Sequence, residues 1–81
     1  MKLKKNIAIS ESGFVFDPTT GESYSLNGIG IEIVDYLNDD KPFDNIRDLI
    51  LKKYDIDAVS FEKYFYDFIS RLEEFKLIEH E

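Results

Sequence analysis

The sequence predicts an α+β domain in which a three-stranded antiparallel sheet is followed by a three-helix bundle. Two features carry this reading. The apolar period is two up to about residue 26 and becomes helical from about residue 28. A turn signal, Asp17-Pro18-Thr19-Thr20-Gly21, divides the early segment where two strands must reverse, because Pro presets its backbone angle and Gly permits a positive one. The 81 residues have room for one core, so 1–81 is read as a single domain. Seven Phe and five Tyr supply the large buried areas that so small a domain needs.

The first strand is expected over residues 6–10, where Ile7 and Ile9 share a side opposite Ala8. Gly13 opens the second, 13–17, in which Phe14 and Phe16 share a face. The third, 22–26, sets Tyr24 and Leu26 on one face and Ser23 and Ser25 on the other. The meander they form has one apolar face. At Asn27 the period changes, and Asn is a good N-cap because its side-chain oxygen accepts from free amides of the first turn. Helix 28–38 follows, with Ile29, Ile33, Tyr36 and Leu37 at helical spacing. Pro42 is tolerated in a first turn, and helix 42–54 puts Phe43, Ile46, Ile50 and Tyr54 on one face. Asp57 or Ser60 caps the last helix, 60–75. Its stripe of Phe61, Phe65, Phe68, Leu72 and Phe75 is the strongest periodicity in the chain. Phe61, Phe65, Leu72 and Phe75 are read as core, Tyr66 and Ser70 as facing water. Leu77 and Ile78 fold back on the core or add a short strand.

Several chemistries find no support in these residues. There is no Cys, which removes disulfides and thiolate chemistry and fits a reducing compartment. Lysines 2, 4 and 5 imitate the start of a signal peptide, but the apolar run after them stops at Ile9. No stretch approaches the roughly 20 apolar residues of a membrane span, so the expected location is the cytoplasm. The lone His80 is penultimate, and a terminal residue is poorly placed to act as a base or metal ligand. Asp35, Asp39, Asp40 and Asp44 cluster near one loop without the ligand spacing of a calcium loop, and read as a solvated acidic surface. Gly28 and Gly30 form a G-x-G, but Ile33 stands where a dinucleotide fingerprint needs its third glycine, so helix-entry packing is the better account. No serine has a histidine placed to activate it. Neither an enzyme nor a cofactor or metal site is expected.

What remains is recognition. Tyr64, Asp67 and Arg71 share the shoulder of the aromatic stripe, where amphipathic and charged side chains either line a groove or simply flank the core in water. The segment Tyr24-Ser25-Leu26-Asn27, followed by Gly30, Ile33 and Leu37, resembles the PqqD-like family of peptide chaperones and recognition domains for ribosomally made, modified peptides. The likeness runs on through Ile46, Leu49, Tyr54 and Asp57 into Phe68-Ile69, Leu72 and Leu77. It departs at Lys76, where the family usually has Gly before the closing Leu, and at Tyr64, where an acidic residue is common.

The resemblance implies a winged-helix-like fold. It also implies that a leader peptide adds as a strand to the third strand, in the groove against the third helix. On this chain those elements are 22–26 and 60–75, so the candidate peptide-binding residues are Glu22, Ser23, Tyr24, Ser25, Leu26, Tyr64, Asp67, Phe68 and Arg71. The implied partners are a precursor peptide and a modifying enzyme such as a radical-SAM protein, a cyclase or a protease.

Two rivals belong to other classes. A winged-helix DNA-binding regulator needs a basic recognition helix, but the last helix carries Lys63, Arg71 and Lys76 against Glu62, Asp67, Glu73 and Glu74. The chain as a whole has a net charge of −7, which disfavours a phosphate backbone. The other rival is a structural accessory subunit of a neighbouring enzyme. The expected assembly is a monomer, or a weak or strand-exchanged dimer governed by the same open edge.

Overall fold

The computed structural model describes residues 2–79; His80, read above as a tail residue, lies outside them. The chain runs β1 (Lys2–Leu3), β2 (Ala8–Ile9), β3 (Phe14–Asp17), β4 (Glu22–Ser25), α1 (Gly28–Asn38), α2 (Phe43–Lys53), α3 (Ala58–Glu74) and β5 (Ile78–Glu79). The expected α+β order is present, with the meander β2-β3-β4 antiparallel throughout. A second, two-stranded sheet pairs β1 with β5, Leu3 opposite Ile78.

The core lies between the inner face of the meander and the three helices. Val15, Ile33, Val34, Ile46, Ile50, Phe61, Leu72 and Leu77 are its most deeply buried apolar residues. The sheet contributes to it in an unexpected way. Phe14 and Phe16 are 57% and 45% exposed, while Val15 between them is 1% exposed. The apolar face expected from the paired phenylalanines is therefore the outer face, and the core takes the alternate residues. Gly13 stands at the entry to this strand. It has φ +90°, and a Cβ there would stand 2.7 Å from Ile31 Cδ1 and 2.8 Å from the Leu26 carbonyl oxygen. Only glycine fits this entry, and the strand that follows turns Val15 inward.

Both predicted side-chain caps form. Asn27 Oδ1 accepts from Gly30 N–H at 2.8 Å, and Asp57 accepts from Ser60 N–H at 3.0 Å. Capping by Asp57 starts α3 two residues earlier than the periodicity alone indicates. The Ser60 hydroxyl and amide, both donating to it, hold the Asp57 carboxyl below the usual carboxylate range. This contribution to helix stability is complete above the carboxyl's unfolded pKa and is lost as pH falls through its lower folded pKa.

α3 ends where the sequence departs from the resembling family. Lys76 adopts φ +58°, its amide donates to Glu73 O at 3.0 Å, and Leu77 N–H donates to Leu72 O at 2.9 Å. These are the two bonds of a Schellman ending, made here with a lysine in the left-handed region. Such a residue carries a steric cost of about 1–2 kcal/mol that glycine avoids, set against a glycine entropy cost of about 0.5–1 kcal/mol. Lys76→Gly is therefore expected to stabilise the domain by up to about 1 kcal/mol, read as a raised midpoint in urea unfolding.

The same turn corrects the reading of Phe75. The periodicity places it in the core, but as the helix C-cap it is 41% exposed. The left-handed turn directs the chain onward so that Leu77 and Ile78, at 1% and 6% exposure, enter the core instead. Tyr66 and Ser70 are exposed, although Tyr66 also stacks on Phe43 at 5.8 Å.

Candidate functional site

The geometry of β4 follows from the ladder it forms with β3. Tyr24 stands opposite Val15, Ser23 opposite Phe16 and Ser25 opposite Phe14. Leu26 N–H donates to Gly13 O at 2.8 Å, and bonded pairs alternate along an antiparallel ladder. Tyr24 therefore spends its amide and carbonyl on β3, while Ser23 and Ser25 turn theirs away. The opposite side of β3 agrees, since Phe14 O accepts from Ser10 N–H at 2.8 Å and so points toward β2. Because β4 is at the end of the strand order, Ser23 and Ser25 together offer two N–H donors and two carbonyl acceptors along an open edge.

Beside that edge runs a groove of about 270 Å³ between β4 and α3. One wall is Tyr24, Ser25, Leu26 and Asn27; the other is Tyr64, Phe68, Arg71, Leu72 and Phe75, with Leu77 also lining it. Residues 64, 68, 71 and 75 recur at helical spacing, which sets them on one side of α3. Gly30 lets the Phe68 ring pack closely against the start of α1. A Cβ on Gly30 would meet Phe68 Cε1 at 3.3 Å and Asn27 Oδ1 at 3.2 Å. Of the G-x-G, it is Gly30 that serves helix-entry packing.

The aromatic rings are held in place. Tyr64 stacks on Phe68 with centroids 6.1 Å apart, and its hydroxyl donates to Asn27 Oδ1 at 3.0 Å. Asn27 Oδ1 thus caps α1 and ties α3 to the end of β4 with one atom. Asn27→Ala should cost about 1 kcal/mol for the lost cap, measured by thermal melting, and should also release the Tyr64 ring. At the other end Tyr24 stacks on Phe75 at 4.6 Å, and its hydroxyl donates to Glu22 Oε2 at 2.6 Å. That bond, then desolvation and the Glu22 and Asp17 charges, push the phenol up to about 12. Tyr24 therefore acts as a neutral donor at any ordinary pH. Among the described residues, Arg71 is the one basic residue lining the groove.

The structure brings together most of the residues singled out in the sequence. Tyr24, Ser25, Leu26, Tyr64, Phe68 and Arg71 line the groove. Glu22 and Ser23 continue the edge of β4 beyond it. Asp67 borders a separate shallow depression with Val59, Glu62, Lys63 and Tyr66, because Phe68 occupies the helical position between Tyr64 and Arg71 on the groove side. The sequence reading did not place Asn27, Leu72, Phe75 or Leu77 in the groove. Phe75 lies four residues after Arg71, so the helical spacing that unites Tyr64, Phe68 and Arg71 was the available signal.

Among the described residues no group of three or more His, Cys, Asp or Glu is placed to hold a metal ion. No described helix is long and apolar enough to cross a membrane.

No curated protein matches the chain. Among solved structures, TbiB1 in complex with the TbiA(beta) leader peptide is 25% identical with a TM-score of 0.84, covering 100% of this chain and 98% of that one. Lasso peptide synthetase B1 complexed with the leader peptide also has a TM-score of 0.84, covering 94% of this chain and 93% of that one. At 20% identity this second likeness bears on the fold alone. The family described as Coenzyme PQQ synthesis protein D (PqqD) matches residues 13–78. That match takes in the open strand, the groove and all three helices, and the chain belongs to the PqqD family.

Proposed function

We propose that this chain is a peptide-binding chaperone that catalyses no reaction itself. It takes the leader segment of a precursor peptide as an added strand on β4, in the groove against α3, and presents it to a modifying enzyme. The observation that carries this reading is the open edge of β4, whose outward amides and carbonyls at Ser23 and Ser25 border an apolar groove. TbiB1, which shares the fold at 25% identity, was solved in complex with a leader peptide. A radical-SAM protein, a cyclase or a protease would fit as the receiving enzyme.

The groove is energetically necessary. Four edge hydrogen bonds at roughly 0.5–1.5 kcal/mol each supply about 2–6 kcal/mol, whereas association costs about 4–15 kcal/mol. Alternate side chains of the peptide must supply the surplus by burying against Tyr64, Phe68 and Leu26. Arg71 adds a planar guanidinium with which a peptide carboxylate can form a bidentate pair.

Titrating a synthetic leader peptide into isotopically labelled protein tests the proposal. Amides of residues 22–26 and of the groove side of α3 should shift together. Tyr64→Ala should weaken binding about tenfold or more by removing a half-buried anchor, with little change in melting temperature. Random duplex DNA should produce no shift at physiological salt, and micromolar duplex affinity would favour the regulator reading instead.

A further inference from the structure

Among the described residues, none on the outer face of the meander is charged, although a third of the chain is. The six positions of that face form two cross-strand rows, Ala8–Phe16–Ser23 and Ser10–Phe14–Ser25. All six are exposed. The two phenylalanines thus stand as a ridge on the central strand, and the serines of β4 form a low shelf between that ridge and the open edge.

A strand added to β4 presents its side chains alternately to both faces of the sheet. One row enters the groove. The other must emerge on the outer face, directly beside Ser23 and Ser25. Neighbouring strands lie about 4.8 Å apart, so a large side chain on the added strand stands about two spacings from Phe14 or Phe16. A serine between them is too small to keep the two apart. Diagonal pairs on adjacent strands already meet at about 7–8 Å through aromatic and long side chains, and two such side chains leaning toward each other over a serine span the somewhat larger gap. The opposite flank of the ridge is less suited, because β2 is only two residues long and a very short edge strand is a poor template for pairing.

We infer that the bound peptide is read on both faces: its groove-facing row by Tyr64 and Phe68, and its outward row by Phe14 and Phe16 across the serine shelf. This rests on the strand-addition reading and makes it more specific. The recognised segment carries large apolar residues at consecutive positions, where a groove alone would select every second position.

Panning a phage-displayed library of random peptides against the full chain tests this, with the selected peptides synthesised and their affinities measured by anisotropy. The comparison is the double variant Phe14→Thr/Phe16→Thr, which removes the rings but places β-branched residues of high strand propensity there. The ridge is exposed, so its melting temperature should stay near that of the parent; Phe14→Tyr/Phe16→Tyr, which retains the rings, provides a second comparison. Peptides selected on the parent should carry adjacent apolar residues, should bind the threonine variant at least about fivefold more weakly, and should bind the tyrosine variant nearly as well as the parent. Peptides that shift the amides of 22–26 and α3 but bind parent and threonine variant equally would overturn the two-faced reading and leave strand addition standing. Peptides that shift neither region would overturn both. If the threonine variant instead dissociates a dimer without changing peptide affinity, the ridge is an interface between copies and the inference is wrong.

Discussion

Ser25→Pro is expected to fold like the parent and to lose peptide binding by about tenfold or more, whereas Tyr24→Pro is expected to lose much of its stability. The two positions are adjacent, but their backbone groups point in opposite directions and only Tyr24 packs its side chain against a neighbour. Proline removes an amide donor and is tolerated on edge strands when that amide faces outward. At Ser25 the missing donor is one that an added strand would use, and the pyrrolidine ring also occupies the pairing edge. The loss is one charge-neutral hydrogen bond of about 0.5–1.5 kcal/mol plus the clash, enough for a tenfold effect at about 1.4 kcal/mol. At Tyr24 the missing donor is a bond to β3, and the change leaves the facing Val15 carbonyl unpaired at a further cost of about 1–3 kcal/mol. It also removes the Tyr24–Phe75 stack. Circular-dichroism melts and anisotropy titration of both variants separate the two effects. A folded Ser25→Pro variant with undiminished affinity would rule out strand addition at this edge, and a stable Tyr24→Pro variant would show that the ladder register is wrong.

Phe61→Ala should be the most damaging single truncation. Phe61 is 0% exposed, packs against Phe43 and Phe65 with centroids 6.0 and 5.9 Å away, and follows the Asp57 cap within the first turn of α3. Emptying such a site costs about 3–5 kcal/mol. At roughly 0.05–0.15 kcal/mol per residue, a domain of this size has only about 4–12 kcal/mol in total, so the variant should be partly unfolded near 37 °C. Phe68→Ala makes an instructive contrast. Its ring is half-buried, with one side against Gly30 and Tyr64 and the other open to the groove. Truncation there should cost less stability than at Phe61 and more affinity. Urea unfolding of both variants checks the order, and a Phe68→Ala variant less stable than Phe61→Ala would mean that the ring belongs to the core.

The order of elements, the caps at Asn27 and Asp57 and the buried stripe of α3 were legible in the sequence. Each depends on neighbours within a turn or two: the period of apolar residues, a side-chain oxygen beside free amides, a Pro and a Gly at a reversal. The same local rules brought Tyr24, Leu26, Tyr64, Phe68 and Arg71 forward as a set, with the family resemblance joining the strand to the helix. Other features had no local signal. Two alternating residues cannot say which of them faces inward, so the choice of Val15 over Phe14 and Phe16 depended on which face of the sheet packs against the helices. Lys2–Leu3 became a strand only because Ile78–Glu79 arrives beside it from the far end of the chain. Phe75 left the core because a left-handed lysine turns the backbone and sends Leu77 inward in its place. Which serines face the open edge depended on the phase of hydrogen bonding with β3, a property of two paired strands that neither strand carries alone.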